Sequence, residues 1–431
     1  MRHTLLIVLL AVVGLPNAVA QNGGEGSIYS RFGVGQLVPR YSSKASALGG
    51  GALAYSSASF VNLSNPASLS DQVLVRFSGG LRFEGVETTD ALDVQSKLSY
   101  SNFDGIAIGV PLLANQLGLG LGFSKVSQVG YRIDVVKPLN LGDQVDSGES
   151  VGARFQGNGG LNQVNLGLGY RISRRLSVGV RGDFVFGIIE EVQETVFNDT
   201  RFQDTRLVRS TRMRGLSGGV SARVSLPSIL RQGDFLNLAV ALDLPNSLET
   251  TRLVSEGSGP GADTLTTPVK GSTDLPLSVS VGLLYQPSAK LSWNVDFLFE
   301  PWSDFSSELS FPGYSPGGSS TLSDRSRIST GIEYFPAGRD LLASFFSRSA
   351  YRFGVFRESG YVSPSASKRV DSFGISSGIS LPTVRGGTRI DINLDVGARG
   401  AAEGSLVRDR YIRIGLHFNF AERWFARSQL G

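Results

Sequence analysis

The residues that catalysis most often needs are scarce in this chain. It has two histidines and no cysteine, and only His417 lies beyond the first twenty residues. A serine hydrolase uses a histidine as general base and a carboxylate to orient that histidine. Asp391 and Asp395, on the predicted neighbouring strand, are the acids placed to orient it. The alternation around His417 puts it on the polar inner face of its strand, so we expect a packing role and no catalytic residue.

Two other patterns have simple structural interpretations. Asp143, Asp146 and Glu149 form a loose acidic group without the regular spacing of a calcium loop, and no His/Cys cluster is present. The stretch 117–123 alternates leucine with glycine, but no helix follows, as a nucleotide-binding loop requires. We interpret it as a smooth inner wall. We predict no metal and no cofactor, and the small, dispersed net charge of +4 gives no reason to expect nucleic acid.

The elements that must position these residues alternate apolar and polar side chains. In 290–300, every second residue from Leu291 to Phe299 is apolar. Successive side chains of a strand point to opposite faces, so one face meets an apolar medium and the other a polar one. The chain contains fourteen such stretches, at 73–83, 101–110, 117–126, 163–172, 175–186, 215–225, 235–244, 277–285, 290–300, 326–335, 349–357, 372–381, 388–398 and 410–420.

The connections between these stretches alternate in length. Long connections such as 84–100, 127–162 and 187–214 follow odd-numbered strands, and shorter ones such as 173–174 and 286–289 follow even-numbered strands. Outer-membrane barrels have an even number of strands, short periplasmic turns and long outer loops. The pattern predicts an all-β fold, a 14-stranded antiparallel transmembrane β-barrel integral to the bacterial outer membrane, with both termini in the periplasm.

The chain divides into four segments. Residues 1–20 have a positive start, a short apolar run and the cleavage pattern Ala18-Val19-Ala20, which together indicate a secretory signal peptide. Residues 21–70 are rich in small residues and lack sustained alternation, so we predict a plug segment packed inside the barrel. The barrel is predicted over 71–420, and 421–431 form a periplasmic C-terminal tail.

The segment 43–70, SKASALGGGALAYSSASFVNLSNPASLS, resembles the N-terminal segment of FadL-like outer-membrane transporters. There, a glycine-containing stretch of small residues precedes an Asn-Pro-Ala element just before the first strand. The ends of the chain, Ile28–Leu37 and Phe420–Gly431, look like those of FadL/PorV-type barrels of the Bacteroidota. The resemblance implies a plugged 14-stranded barrel, with plug or gate residues Gly49, Gly50, Gly51, Asn65, Pro66 and Ala67.

The polar face of the predicted strands carries charges of both signs. The residues predicted to line the lumen are Arg181, Asp183, Asp296, Glu300, Arg327, Glu333, Arg413 and His417. They suit either a narrow hydrated path or paired charges that hold the plug.

The resemblance implies an outer-membrane channel for hydrophobic or amphipathic small molecules, gated by the N-terminal segment. The alternative is a PorV-like interaction protein of a secretion or surface-attachment system. The expected partners are outer-membrane lipid and lipopolysaccharide, whose phosphates suit the arginines of 201–214. The alternative for this stretch is a solvated, salt-bridged hairpin, since Asp199 and Asp204 partly offset its charge. A hydrophobic ligand and a secreted or surface protein are further candidates.

Overall fold

The computed structural model describes residues 26–40, 42–138, 150–197, 203–257, 263–264, 267–338, 340, 342–364, 369–383, 387–404 and 406–423. The predicted signal peptide and most of the predicted C-terminal tail lie outside the described residues. Within these ranges, no helix has both the length and the apolar character needed to cross a membrane.

Fourteen antiparallel strands form a closed barrel. They are β1 Val75–Thr89, β2 Gln95–Leu113, β3 Leu117–Lys125 with Ser127–Pro138, β4 Ser150–Arg171, β5 Leu176–Phe197, β6 Thr205–Pro227, β7 Phe235–Asp243 with Asn246–Gly257, β8 Val269–Leu275 with Ser278–Ser288, β9 Leu291–Glu300, β10 Arg325–Tyr334, β11 Ala350–Ser359, β12 Asp371–Pro382, β13 Arg389–Gly400 and β14 Arg408–Glu422. β14 pairs with β1, with Phe77 opposite Phe420, which closes the sheet. The predicted 14-stranded barrel is confirmed, and each predicted strand corresponds to one observed strand.

Short elements complete the structure. They are the 3₁₀ turns Ile28–Arg31, Ala45–Ala47, Pro66–Asp71 and Trp302–Asp304, and the two-residue strands Gln36–Leu37, Asp263–Thr264 and Ser306–Ser307.

The burial of alternate residues is the reverse of that in a water-soluble sheet. On β9, the polar residues Ser292 and Asn294 are 3% and 1% exposed, whereas the apolar Leu291 and Trp293 are 40% and 46% exposed. Large apolar side chains that all point outward need an apolar surrounding, which a bilayer supplies. We call this outward apolar surface the lipid-facing belt.

Several strands continue well past the belt. β4, β5 and β6 contain 22, 22 and 23 residues. At a rise of roughly 3.3 Å per residue, each strand is much longer than is needed to cross the ~25 Å apolar band of such barrels, even at their usual tilt. The prediction of a long loop at 84–100 was wrong, because β1 and β2 occupy most of it and leave a turn at 90–94. The wall therefore projects beyond the membrane on the side of the long connections.

The segment before β1 lies inside the barrel and extends along its length. At the long-loop end, the Ser27 hydroxyl donates a hydrogen bond to the Asp409 carboxylate over 2.5 Å. At the short-turn end, Leu69 packs against Gly118 near the start of β3. The first described residue, Gly26, is thus at the opposite end of the barrel from Glu422. The two chain ends themselves, predicted to lie at the short-turn end, are outside the described residues.

A large apolar cluster fills the barrel at its long-loop end. Tyr29 and Val34 of the N-terminal segment pack there with Trp302, Phe305 and Tyr361 from the connections, and all five are at least 95% buried. The segment is therefore held at this end by hydrophobic burial.

Candidate functional site: a gap in the wall beside the N-terminal segment

The barrel wall is interrupted at β3. The first half of β3 pairs with β4 on one edge and with β2 on the other, as far as Gly105 opposite Ser124. After Val126, β3 keeps β4 as a wall neighbour but no longer pairs with β2. Within the described residues, no backbone pairing joins 95–104 of β2 to 127–138 of β3. We call this opening the lateral gap.

A bulge in the pairing of β3 with β4 redirects the second half of β3. Lys125 lies opposite Asn162, but Val129 lies opposite Gly159, so β3 has one extra residue at this point. Gly159 and Gly160 have φ values of +102° and +130°, which side-chain-bearing residues rarely adopt. A bulge of this kind bends a strand and re-aims it, and here it turns β3 away from β2.

The N-terminal segment pairs with β3 at the edge of the lateral gap. Gln36 lies opposite Gln128, and Leu37 opposite Ser127, in an antiparallel bridge. The Val38 amide donates to the Val126 carbonyl over 2.9 Å. The segment therefore satisfies backbone groups of β3 where β2 has separated from it.

Side chains span the gap, polar inside and apolar outside. The Lys125 amine donates to the side-chain oxygen of Asn102 over 2.7 Å, and the side-chain nitrogen of Asn102 donates to the side-chain oxygen of Gln128 over 3.1 Å. We call these three residues the gap latch. On the lipid side, the rings of Phe103 and Phe123 stack with centroids 6.1 Å apart. A route through the gap would pass from a polar to an apolar surrounding.

Two cavities in the lumen flank the N-terminal segment. One, of about 140 Å³, borders the lateral gap at Tyr100 and Gln128 and extends toward β11–β14. The other, of about 230 Å³, lies mainly against β4–β10. Residues 37–40 line both cavities, so the segment separates them.

Four of the residues predicted to line the lumen bind the backbone of the N-terminal segment or support the residue that binds it. The Arg181 guanidinium donates to the Leu63 carbonyl over 2.8 Å and forms an ion pair with Asp183 over 2.8 Å. Asp296 accepts a hydrogen bond from the Leu53 amide over 2.9 Å, and Arg327 donates to the Gly49 carbonyl over 2.8 Å. These charges bind segment backbone, as one of the two interpretations of the mixed charges predicts.

Three further lumen residues form ion pairs. Glu333 contacts the Lys44 amine over 2.8 Å and Arg352 over 2.6 Å. Glu300 pairs with Arg325 over 3.0 Å, and Arg413 pairs with Glu84 over 2.9 Å. Burial lowers the pKa of the Lys44 amine, and the charge of Glu333 opposes that shift.

His417 lies inside the barrel, fully buried, as the alternation predicts. Its Nε2 lies 2.8 Å from the Asp104 carboxylate. The expectation that Asp391 or Asp395 is the carboxylate placed to orient it was wrong. Asp391 lies opposite His417 but accepts from Asn419 over 2.6 Å instead. Asp104 is on β2, two strands away from His417. It reaches His417 across β1 because Gly80, the β1 residue between them, has no side chain; a Cβ on Gly80 would be 2.0 Å from the His417 ring.

The three predicted plug glycines lie against the wall. The Gly49 amide donates to the Ser376 hydroxyl over 2.7 Å, and a Cβ on Gly49 would be 2.5 Å from the Val355 carbonyl oxygen. Gly50 has φ +86° beside Arg327, and Gly51 packs on Asp296.

The second group of predicted plug residues lies at the short-turn end. The side-chain amide of Asn65 donates to the Leu53 carbonyl over 2.9 Å, and Pro66 begins the turn Pro66–Asp71. The backbone amide of Ala67 donates to the Ser221 hydroxyl over 2.9 Å. This turn rests on the glycine face of β3, where Leu69 packs against Gly118 and Gly120. The acidic group at 143–149 lies outside the described residues.

A closed 14-stranded barrel with its N-terminal segment inside the lumen is the fold of the FadL-type outer-membrane β-barrels. The chain belongs to the BamG family, whose model matches residues 1–431. No curated protein matches it.

Solved structures share the fold at low identity. The toluene transporter TbuX of Ralstonia pickettii has a TM-score of 0.56 and 15% identity, covering 89% of this chain and 99% of its own. The toluene transporter TodX of P. putida has a TM-score of 0.56 and 14% identity, covering 90% and 100%. A Pseudomonas aeruginosa FadL homologue has a TM-score of 0.57 and 11% identity, covering 89% and 99%. At these identities the likeness establishes the fold.

Proposed function

We propose that the protein is an outer-membrane channel for amphipathic small molecules, with the lateral gap as exit and the N-terminal segment as gate. The lateral gap is the observation that carries this proposal. The free energy of a molecule with an apolar part is lower if it leaves the lumen sideways into lipid than if it leaves into water. The toluene transporters TbuX and TodX, whose fold the chain shares, support a route for apolar molecules.

The polar lining favours an amphipathic substrate over a purely apolar one. The cavity beside the gap is lined by Arg82, Glu84 and Arg413, and the gap latch presents an amine and two amides. Covering such groups with a hydrocarbon alone costs free energy, because their hydration is lost without replacement. A molecule with a polar head and an apolar tail satisfies both surfaces.

In this proposal the barrel lies in the bacterial outer membrane with its long connections outside. The end of β14 then faces the periplasm, and Gly26 lies at the outer end of the lumen. The gate is the strand Gln36–Leu37, whose departure from β3 would join the two cavities and free the edge of β3 at the lateral gap.

The test is uptake by cells that carry the full-length protein, compared with cells that lack it. The probes are a fluorescently labelled medium-chain fatty acid and a labelled sugar of similar mass. We expect faster entry of the fatty acid alone. Equal entry of both probes would indicate an open pore, and entry of neither would reject the channel.

A second candidate is an interaction protein that holds a secreted or surface protein at the outer membrane. The apolar cluster at the long-loop end and the projecting strands β4–β6 favour it, because they build a filled, rigid outer platform. Affinity purification from native membranes tests it. A stoichiometric protein partner supports this function, and recovery of the barrel with lipid alone counts against it.

A further inference from the structure

A group of cations lies on the outer surface of β6 just past the lipid-facing belt. The large apolar residues of β6 that are exposed in the belt end at Leu216, which is 77% exposed. The next outward residues toward the long-loop end are Arg214 and Arg212, while Met213 between them is fully buried inside. Alternation thus places both guanidiniums outside the barrel, at the depth where lipid headgroups begin.

Neighbouring strands extend this group sideways. Arg212 lies opposite Thr251 of β7, which lies opposite Lys270 of β8. Paired strands are about 4.8 Å apart, so the Arg212 and Lys270 backbones are roughly 10 Å apart on one surface. We call Arg212, Thr251 and Lys270 the cationic row.

The two charges of the cationic row are not neutralised by the described residues around them. Arg214 forms an ion pair with Glu249 over 2.9 Å, and Arg206 pairs with Glu194 over 3.2 Å. Arg212 and Lys270 form no ion pair with any described residue. Glu190 faces the same surface, two residue pairs farther from the belt than Arg212. Glu249 lies on the belt side of the row, where its ion pair with Arg214 occupies it.

We propose that the cationic row binds the phosphate groups of an outer-leaflet glycolipid, lipopolysaccharide. A guanidinium donates two parallel hydrogen bonds to a phosphate, and an ammonium adds a compact charge. Leu216, on the belt side of the row, and Ile188, opposite Arg212 on β5, are exposed and suit the acyl chains of the same lipid. The proposal rests on the placement of the barrel in the outer membrane and is independent of transport through the gap.

The test compares lipid binding by the full-length barrel and by the double variant Arg212→Gln/Lys270→Gln in detergent. The probes are lipid A with both phosphates and lipid A from which the phosphates have been removed. We expect the variant to bind the phosphorylated lipid roughly tenfold to thirtyfold more weakly, given the usual contribution of each basic residue at an anionic membrane surface. Binding of the dephosphorylated lipid should be the same for both proteins.

The matched control is Arg231→Gln/Lys290→Gln, which removes two exposed charges at the short-turn end. It should bind phosphorylated lipid A like the wild type, and heat-modifiable migration in gels shows that all three proteins are folded. Equal affinity of the row variant and the wild type would overturn the proposal. So would full displacement of the lipid by millimolar inorganic phosphate, because the row would then be a simple anion site.

Discussion

Replacing Gly118 with alanine should detach the N-terminal segment from the wall at the short-turn end. A Cβ on Gly118 would be 2.0 Å from the Leu69 carbonyl oxygen, and ordinary carbon–oxygen contacts are about 3.3 Å. The turn must therefore move by about 1.3 Å. It is held by the Ala67 bond to Ser221 and by the ion pair of Asp71 with Arg223 over 2.5 Å.

The free-energy cost follows from that overlap. Overpacking of a filled interior costs about 1–3 kcal/mol, and a strained hydrogen bond adds about 1 kcal/mol. Together they weaken docking of the segment by roughly 2–4 kcal/mol, which raises the undocked fraction about 30-fold to 700-fold. The barrel itself stays folded, because Gly118 keeps its place in the β3–β4 pairing.

Hydrogen–deuterium exchange of peptides covering 60–72 measures the undocked fraction. We expect amides of this region to exchange faster in G118A by that factor, while β9–β12 exchange unchanged. Gly182→Ala is the matched control, since a Cβ there meets nothing within 4 Å. Wild-type exchange rates in a folded G118A protein would refute the packing of the segment on the glycine face.

Three further changes have defined outcomes. Lys44→Met removes one ion-pair partner of the buried Glu333, so the free energy of unfolding should fall by about 3 kcal/mol, as measured by thermal unfolding. His417→Ala should cost about 1–3 kcal/mol of stability but leave fatty-acid uptake unchanged; loss of uptake in a folded variant would contradict a packing role. Gly160→Val places a Cβ 2.4 Å from the Ser127 carbonyl oxygen, at a backbone φ of +130°, so this variant should not fold into a heat-modifiable barrel. Its control is Gly85→Ala, where a Cβ meets nothing within 4 Å, and this variant should fold normally.

The barrel was predictable because a bilayer imposes a strict rule on every strand. Residues such as Trp293 and Phe297 must alternate with inward polar ones wherever the wall meets lipid, and that period is visible without any structure. Where the strands leave the lipid, at 84–100, the rule no longer applies. The true ends of β1 and β2 were missed for that reason.

The lateral gap was not predictable from the sequence. It depends on Gly159 and Gly160, and nothing local distinguishes them among the 54 glycines of the chain. The partner of His417 was missed for a related reason, since it depends on the register of three strands and on Gly80 between them. The mixed inner charges were visible, but their hydrogen bonds to the N-terminal segment depend on where that segment lies.

The most direct test of the proposed exit is to bridge the lateral gap reversibly. The chain has no cysteine, so Asn102→Cys/Gln128→Cys introduces a unique pair whose native side chains are 3.1 Å apart. A short bifunctional thiol reagent with a reducible link then joins β2 to β3, and the single-cysteine variants are the controls. We predict that bridged protein takes up no labelled fatty acid and that a reductant restores uptake. Undiminished uptake by the bridged protein would contradict lateral exit through this gap.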